Sequence, residues 1–144
     1  MDHMPSMASV MTPFPYVVHV DDSLRYAREL MGRHEVRHLP VKDGDVLVGV
    51  LTDRDLKRAL DPDLGLPPKD QLFVRDVFVR EGYVVDSGER LDAVLEHMAE
   101  NHIGSALVTK HGHLVGIFTA TDACRVFCRH LRSIFPRPSS TDAA

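Results

Sequence analysis

The pattern of apolar and polar residues predicts the same order of elements in both halves of the chain. In the first half, residues 16–20 and 38–41 are short apolar runs with β-branched side chains, which predict strands. Between them, apolar residues recur at helical spacing, and Gly32 is predicted to end this helix. A turn at residues 43–45 leads to a third strand over 46–51, and Thr52 begins a second helix that reaches Leu60.

The second half has the same succession of elements. Residues 83–85, 105–108 and 114–118 are predicted strands, and helices are predicted over 91–99 and from Thr119 to about Phe135, before Pro136. Breaker residues over 61–72 predict a linker, and residues 136–144 are predicted to be a disordered tail. The fold class predicted is therefore α+β, with two tandem β-α-β-β-α units over residues 7–62 and 73–135.

One short motif is the clearest sign of this duplication. The string Gly-apolar-apolar-Thr-x-x-Asp occupies residues 49–55 and again 116–122, and the offset from Gly49 to Gly116 is 67 residues. At the same offset, residues 16–18 and 83–85 are both Tyr-Val-Val. A repeated motif at a strand-to-helix junction indicates two equivalent clefts and not one catalytic centre.

Composition limits the classes of function. The 144 residues carry a formal net charge of −4, which argues against general binding of nucleic acid. No apolar run reaches the roughly 20 residues that span a bilayer, and no secretory leader precedes the first strand. Two cysteines without a disulfide framework favour a reducing compartment, so a cytoplasmic location is expected.

The doubled motif and element order resemble the cystathionine-β-synthase (CBS) domain family, in which two units form a pair called a Bateman module. Residues 10–13, 37–41 and 49–55 are similar to the leading segment, second strand and signature of one such domain. The second half departs from this pattern, with Phe-Val-Arg at 78–80 and Gly-Ser-Ala-Leu at 104–107. The resemblance covers nearly the whole chain, from about Met7 to about Leu131.

The resemblance implies two ligand clefts around a pseudo-twofold axis, each built from both halves. The first cleft would combine Thr12, Val18, Arg37, His38, Ile117, Thr119, Thr121 and Asp122. The second would combine Val50, Thr52, Arg54, Asp55, Val79, Val85, Ile103 and Ser105. In this interpretation each Thr faces a phosphate, each Asp holds ribose hydroxyls, and the apolar residues surround adenine.

The residues by themselves leave a simpler alternative open for the Thr-x-x-Asp motif. A threonine followed three residues later by an acid forms a capping box, which stabilises a helix N-terminus without any ligand. The two interpretations are compatible, because an exposed cap is also a group that a ligand can contact.

Other patterns in the sequence are assigned no chemistry. Residues 34–38 match the metalloprotease string H-E-x-x-H, but Gly32 is predicted to break the helix and His38 to begin a strand. Cys124 and Cys128 are expected to be free thiols. The apolar and arginine-rich final helix is expected to pack on its own module or on a second copy, and not on a membrane. No catalytic residue, cofactor or metal site is predicted, so the chain is not expected to be an enzyme.

The function expected from the sequence is a regulatory module that senses an adenosyl compound and signals to a separate, unknown protein. AMP, ADP or ATP is the expected ligand, with S-adenosylmethionine or NAD as alternatives, and a homodimer is the expected assembly. The alternative function is a structural or oligomerisation module whose clefts hold no ligand.

Overall fold

Two four-stranded sheets form the centre of the computed structural model, which describes residues 3–61, 63 and 72–138. The elements of the first half are α1 (Met7–Val10), β1 (Thr12–Pro13), β2 (Val18–His19), α2 (Leu24–His34), β3 (His38–Asp43), β4 (Val46–Thr52) and α3 (Asp53–Ala59). Those of the second half are β5 (Val79–Arg80), β6 (Val84–Asp86), α4 (Leu91–Asn101), β7 (Ser105–Lys110), β8 (His113–Thr119) and α5 (Ala120–Ile134). A 3₁₀ turn at Val74–Asp76 precedes β5.

The predicted doubled α+β fold is confirmed, although its boundaries differ in places. Most of the predicted linker over 61–72, and the end of the predicted tail from residue 139 onward, lie outside the described residues. The prediction that Gly32 ends the first helix is wrong, because α2 continues to His34. The helix ends instead at Glu35, whose left-handed backbone (φ 54°, ψ 41°) stops helical hydrogen bonding.

The two halves exchange edge strands, which the sequence did not predict. One sheet has the order β2-β3-β4-β5 and the other β1-β8-β7-β6, so β1 and β5 each lie in the sheet of the opposite half. Thr12 pairs with Ile117 in one sheet, and Val79 pairs with Val50 in the other. These two pairs are related by the same offset of 67 residues that the sequence repeat shows. Neither half is therefore complete alone.

The core has three parts that follow this arrangement. Helices α2 and α3 cover one sheet with buried residues that include Leu24, Leu39 and Leu56. A second cluster lies under α4 and α5, and contains the fully buried side chains of Phe118 and of Met7 from the first half. A third, smaller cluster joins the two sheets through three buried side chains, those of Val50, Leu107 and Ile117. Sheet-to-sheet contact between the halves is thus apolar.

The final helix, α5, leaves most of its surface uncovered. Residues Phe127, Leu131, Ile134 and Phe135 form an exposed apolar row, here called the α5 stripe, with exposed fractions of 61%, 39%, 53% and 70%. Only Asp122 of this helix is buried. Of the two alternatives expected for α5, packing on its own module or on a second copy, these four side chains do not show the first. No helix in the described part of the chain is long and apolar enough to cross a membrane.

The exchanged strands explain why each motif begins with glycine. A Cβ at Gly49 would overlap the carbonyl oxygen of Val79 in β5, and a Cβ at Gly116 would overlap the Met11 side chain. Backbone cannot move aside without breaking the strand pair, whereas a methionine side chain changes rotamer at lower cost.

We expect Gly49→Ala to lower the free energy of unfolding by about 1–3 kcal/mol, and Gly116→Ala to lower it by less. Gly32→Ala is the matched control, because a Cβ there meets no atom within 4 Å and alanine favours a helix. Urea denaturation of the three variants measures these differences. Equal losses for Gly49→Ala and Gly32→Ala would contradict the close approach of β5 to Gly49.

Candidate functional site

The first Thr-x-x-Asp motif forms a capping box at the start of α3. The hydroxyl of Thr52 accepts a hydrogen bond from the Asp55 backbone N–H at 3.1 Å. In return Asp55 Oδ2 accepts from the Thr52 N–H at 3.1 Å and from the Thr52 hydroxyl at 2.7 Å. The carboxylate therefore fixes the orientation of the threonine hydroxyl, which is the simpler of the two predicted roles.

The second motif makes the same capping box at α5 but adds two further partners. Asp122 Oδ2 accepts from the Thr119 N–H at 2.9 Å and from the Thr119 hydroxyl at 3.1 Å. Asp122 Oδ1 also accepts from the Thr12 hydroxyl at 3.2 Å and from Arg125 Nη1 at 3.3 Å. The residue is 5% exposed, so its carboxylate is enclosed by protein donors. The predicted proximity of Thr12, Thr119 and Asp122 is present, and the three are held to one another.

A cavity of about 730 Å³ opens beside the first motif and is called here the Thr52 cleft. Six of the eight residues predicted for the second cleft line it, namely Val50, Thr52, Arg54, Val79, Ile103 and Ser105. They come from β4, α3, β5 and the segment that leads into β7, so both halves build the wall. Its volume falls in the range of sites that hold a small molecule.

Arg37 and His38 also line the Thr52 cleft, although the sequence analysis assigned them to the other cleft. The reason is strand register, since His38 pairs directly with Thr52 across β3 and β4. The Asp53 N–H also donates to the Arg37 carbonyl at 2.8 Å, which ties the start of α3 to this segment. Pairing within one sheet therefore brings these two basic residues to the motif of their own half.

Several other predicted contacts are not at the cleft wall. Val18 and Val85, predicted to lie beside a ligand, are 0% and 6% exposed and belong to the cores under the helices. Asp55 contacts Thr52 but does not line the Thr52 cleft. Thr121 is exposed in the first turn of α5, and Ile117 is buried between the sheets.

The cleft also contains residues that the sequence analysis did not predict. They are Asp53, Lys57, Glu81, Gly82, Tyr83, His102 and Gly104. Lys57 Nζ lies 3.0 Å from Asp53 Oδ2, an ion pair at helical spacing of four residues that the sequence could have indicated. The approach of residues 81–83 could not be read from local sequence, because it depends on the exchange of β5.

The charge on the cleft wall comes mainly from arginine and lysine and not from histidine. Burial lowers the pKa of His38, and the nearby Arg37 acts in the same direction, whereas the carboxylates of Asp55 and Asp53 partly oppose this shift. His38 is therefore uncharged at neutral pH. The cleft offers three fixed cations, Arg37, Arg54 and Lys57, against the two carboxylates of Asp53 and Glu81.

The H-E-x-x-H string does not form a metalloprotease site. His34 is the last residue of α2 and His38 the first of β3, with the left-handed residue Glu35 between them. The two imidazoles therefore do not share a helical face, and the ring of His34 stacks on Tyr16 with centroids 3.6 Å apart. Within residues 3–61, 63 and 72–138, no group of three or more His, Cys, Asp or Glu side chains could hold a metal ion.

Comparison with known proteins places this architecture in one family. The CBS domain model matches residues 7–62 and 74–129. Inosine-5'-monophosphate dehydrogenase of Thermoplasma acidophilum is 33% identical over 108 residues, which are 74% of this chain and 20% of the dehydrogenase. The chain thus spans about a fifth or less of the length of the first curated relatives that it matches.

Two further similarities extend over most of both proteins. Hypoxic response protein 1 of Mycobacterium tuberculosis is 31% identical over 115 residues, which are 76% of each chain. The crystal structure of CBSX2 in complex with AMP has a TM-score of 0.75 and 27% identity, and covers 88% of this chain and 98% of that one. Since the family model matches both halves and the strand exchange unites them in one fold, this chain belongs to the CBS domain family and consists of a tandem pair.

Proposed function

We propose that this CBS pair is a regulatory module that binds an adenine nucleotide in the Thr52 cleft and signals to a separate protein. The observation that carries the proposal is the composition of the cleft wall, which combines apolar side chains with the three cations Arg37, Arg54 and Lys57. A relative of similar fold, CBSX2, has been solved in complex with AMP. The proposal includes a cytoplasmic location and assigns no catalysis to this chain.

The two kinds of side chain in the wall suit the two ends of a nucleotide. Val50, Val79 and Ile103 provide apolar surface for a purine base. Arg37 and Arg54 provide guanidinium groups, which form strong hydrogen bonds with phosphate oxygens. This distribution favours AMP, ADP or ATP over S-adenosylmethionine, because the sulfonium of the latter carries a positive charge. NAD, which also carries phosphates, remains the second candidate.

The two aspartates of the motifs have different roles in this proposal. Asp55 acts through Thr52, whose hydroxyl it orients at the cleft wall. The Asp122 carboxylate is enclosed by Thr12, Thr119 and Arg125, so a ligand would have to displace these donors to reach it. We therefore assign nucleotide binding to the Thr52 cleft, and to Asp122 the role of joining the two halves.

A structural role as an oligomerisation module is favoured by a different observation, the exposed α5 stripe. Full burial of a large apolar side chain contributes about 1.5–3 kcal/mol, and four such side chains lie in one row. We propose that a second copy of the chain covers this row and forms a homodimer. The two roles are compatible, because the stripe and the Thr52 cleft share no residue.

We expect calorimetry to detect binding of AMP, ADP or ATP that is tighter than binding of uncharged adenosine. Arg54→Gln should weaken nucleotide binding about ten- to a hundredfold, since a hydrogen bond to a charged group contributes roughly 1.5–3 kcal/mol. Affinity for adenosine should change little. Arg58→Gln on the same helix is the control, because Arg58 is exposed and does not line the cleft. Equal nucleotide affinity in both variants and wild type would count against this site.

The lowered pKa of His38 predicts how stability depends on pH. The unfolded chain takes up a proton on this side chain near pH 6.5 and the folded chain only at lower pH, so stability falls as the pH drops below about 6.5. We expect the loss between pH 7.5 and 5.5 to be smaller in His38→Gln than in wild type, as measured by urea denaturation. His130→Gln, which alters an exposed residue of α5, should retain the wild-type loss.

Light scattering at micromolar concentration should give a mass of twice 16.1 kDa for the wild-type chain. Phe127→Glu should give a monomer, because burying an unpaired carboxylate in the apolar contact between two α5 stripes is unfavourable. Val46→Glu is the matched control, since Val46 is 64% exposed but lies at the hairpin end of β4. A monomeric wild type, or dissociation by both substitutions alike, would refute dimerisation through the stripe.

A further inference from the structure

A second concavity lies directly behind the wall of the Thr52 cleft. It has a volume of about 770 Å³, and we call it the α2–α3 groove because these two helices form its sides. Its floor includes the buried side chains of Met31 and Leu56. Gly32 lies in the wall of this groove, and a Cβ added at this position would meet no atom within 4 Å.

Three charged residues belong to both concavities. Arg37, Asp53 and Lys57 line the Thr52 cleft and also line the α2–α3 groove. Two of them are paired, with Lys57 Nζ 3.0 Å from Asp53 Oδ2. The side chains of Lys57 and Asp53 are 78% and 38% exposed, so both have room to change rotamer. The ion pair therefore lies where the two concavities meet and can open without disturbing a packed core.

We propose that Lys57 is a ligand-binding residue of the Thr52 cleft, and that a bound phosphate draws it away from Asp53. This inference rests on the proposed nucleotide site. An exposed ion pair between residues four apart on a helix contributes little, because water screens it and two flexible side chains must be ordered. An ammonium–phosphate contact in a partly enclosed cleft is a charge-assisted hydrogen bond and is stronger. The phosphate therefore wins the competition for Lys57.

Movement of Lys57 toward a phosphate would also change the charge of the α2–α3 groove. In the free protein the charged side chains of the groove are those of Arg28, Glu35, Arg37, Asp53 and Lys57, and the Asp53 carboxylate is neutralised by Lys57. When Lys57 turns toward a phosphate, the groove retains the Asp53 carboxylate without that partner. Nucleotide binding in the cleft is thereby converted into a change of charge on the helical face, which a partner protein can contact.

ATP and adenosine are the probes that test this inference by calorimetry. Lys57→Met should weaken ATP binding about tenfold and leave adenosine binding unchanged. Arg58→Met is the matched control, because it removes a cation from the next position of α3 that lines neither concavity. Equal weakening by both substitutions would show that the loss of any nearby positive charge lowers the affinity for ATP. This result would overturn the specific role of Lys57.

The transfer of charge to the groove needs a separate reporter. An environment-sensitive fluorophore on Gly32→Cys, in a chain with Cys124→Ser and Cys128→Ser, should shift its emission when saturating ATP is added. Adenosine should leave it unchanged, and Lys57→Met should abolish the ATP response. The same fluorophore on Glu29→Cys, an exposed position of α2 outside the groove, is the control and should not respond.

The outcomes separate this inference from the proposed function. If ATP binds wild type while Lys57→Met binds it equally well, or while the Gly32 reporter stays silent at saturation, the coupling is refuted and the nucleotide site stands. If neither ATP nor adenosine binds the wild-type chain, the proposed function fails and the coupling fails with it.

Discussion

The exchange of edge strands between the halves is the constraint on which the rest of the structure depends. β1 and β5 each complete the sheet of the opposite half, so the two units cannot be separated without opening both sheets. The close approach of β5 to Gly49 and of Met11 to Gly116 explains the glycine that begins each motif. The exchange also brings Val79 and the residues that follow it to the wall of the Thr52 cleft. One topological feature thus joins the halves and builds the site.

The same motif has acquired different surroundings in the two halves. Both copies make a capping box with the same two reciprocal hydrogen bonds between the threonine and the aspartate. At Asp122 the leading segment contributes the Thr12 hydroxyl, whereas the equivalent position in the second half is Val79, which has no hydroxyl. This difference removes a donor that would otherwise point to Asp55. This one-residue difference in the exchanged strands gives Asp122 a hydrogen bond from the opposite half, whereas the hydrogen bonds found for the Asp55 carboxylate come from Thr52 of its own half.

The Thr52 cleft and the α2–α3 groove share part of one wall. The cations of the cleft lie on the short helix α3 and on the segment before β3, and two of them, Arg37 and Lys57, also line the α2–α3 groove. Burial lowers the pKa of His38, so in our proposal the arginine and lysine side chains of the wall, and not this histidine, favour a ligand that carries phosphate. The ion pair of Lys57 and Asp53 belongs to this shared wall, and in our proposal it connects binding in the cleft to the helical face.

Local sequence determined the repeat, the order of helices and strands, the capping boxes and the membership of both halves in one fold, because each depends on periodicity and on residues a few positions apart. The eight residues predicted for the second cleft came from the resemblance to the CBS family and not from periodicity, and six of them line the Thr52 cleft. The tertiary structure decided the exchange of β1 and β5, the placement of Arg37 and His38, the burial of Val18 and Val85, and the exposure of the α5 stripe. These features depend on strand register and on the packing of helices and sheets against one another. Both arise from contacts between residues far apart in the chain, and such contacts leave no periodic signal in the sequence.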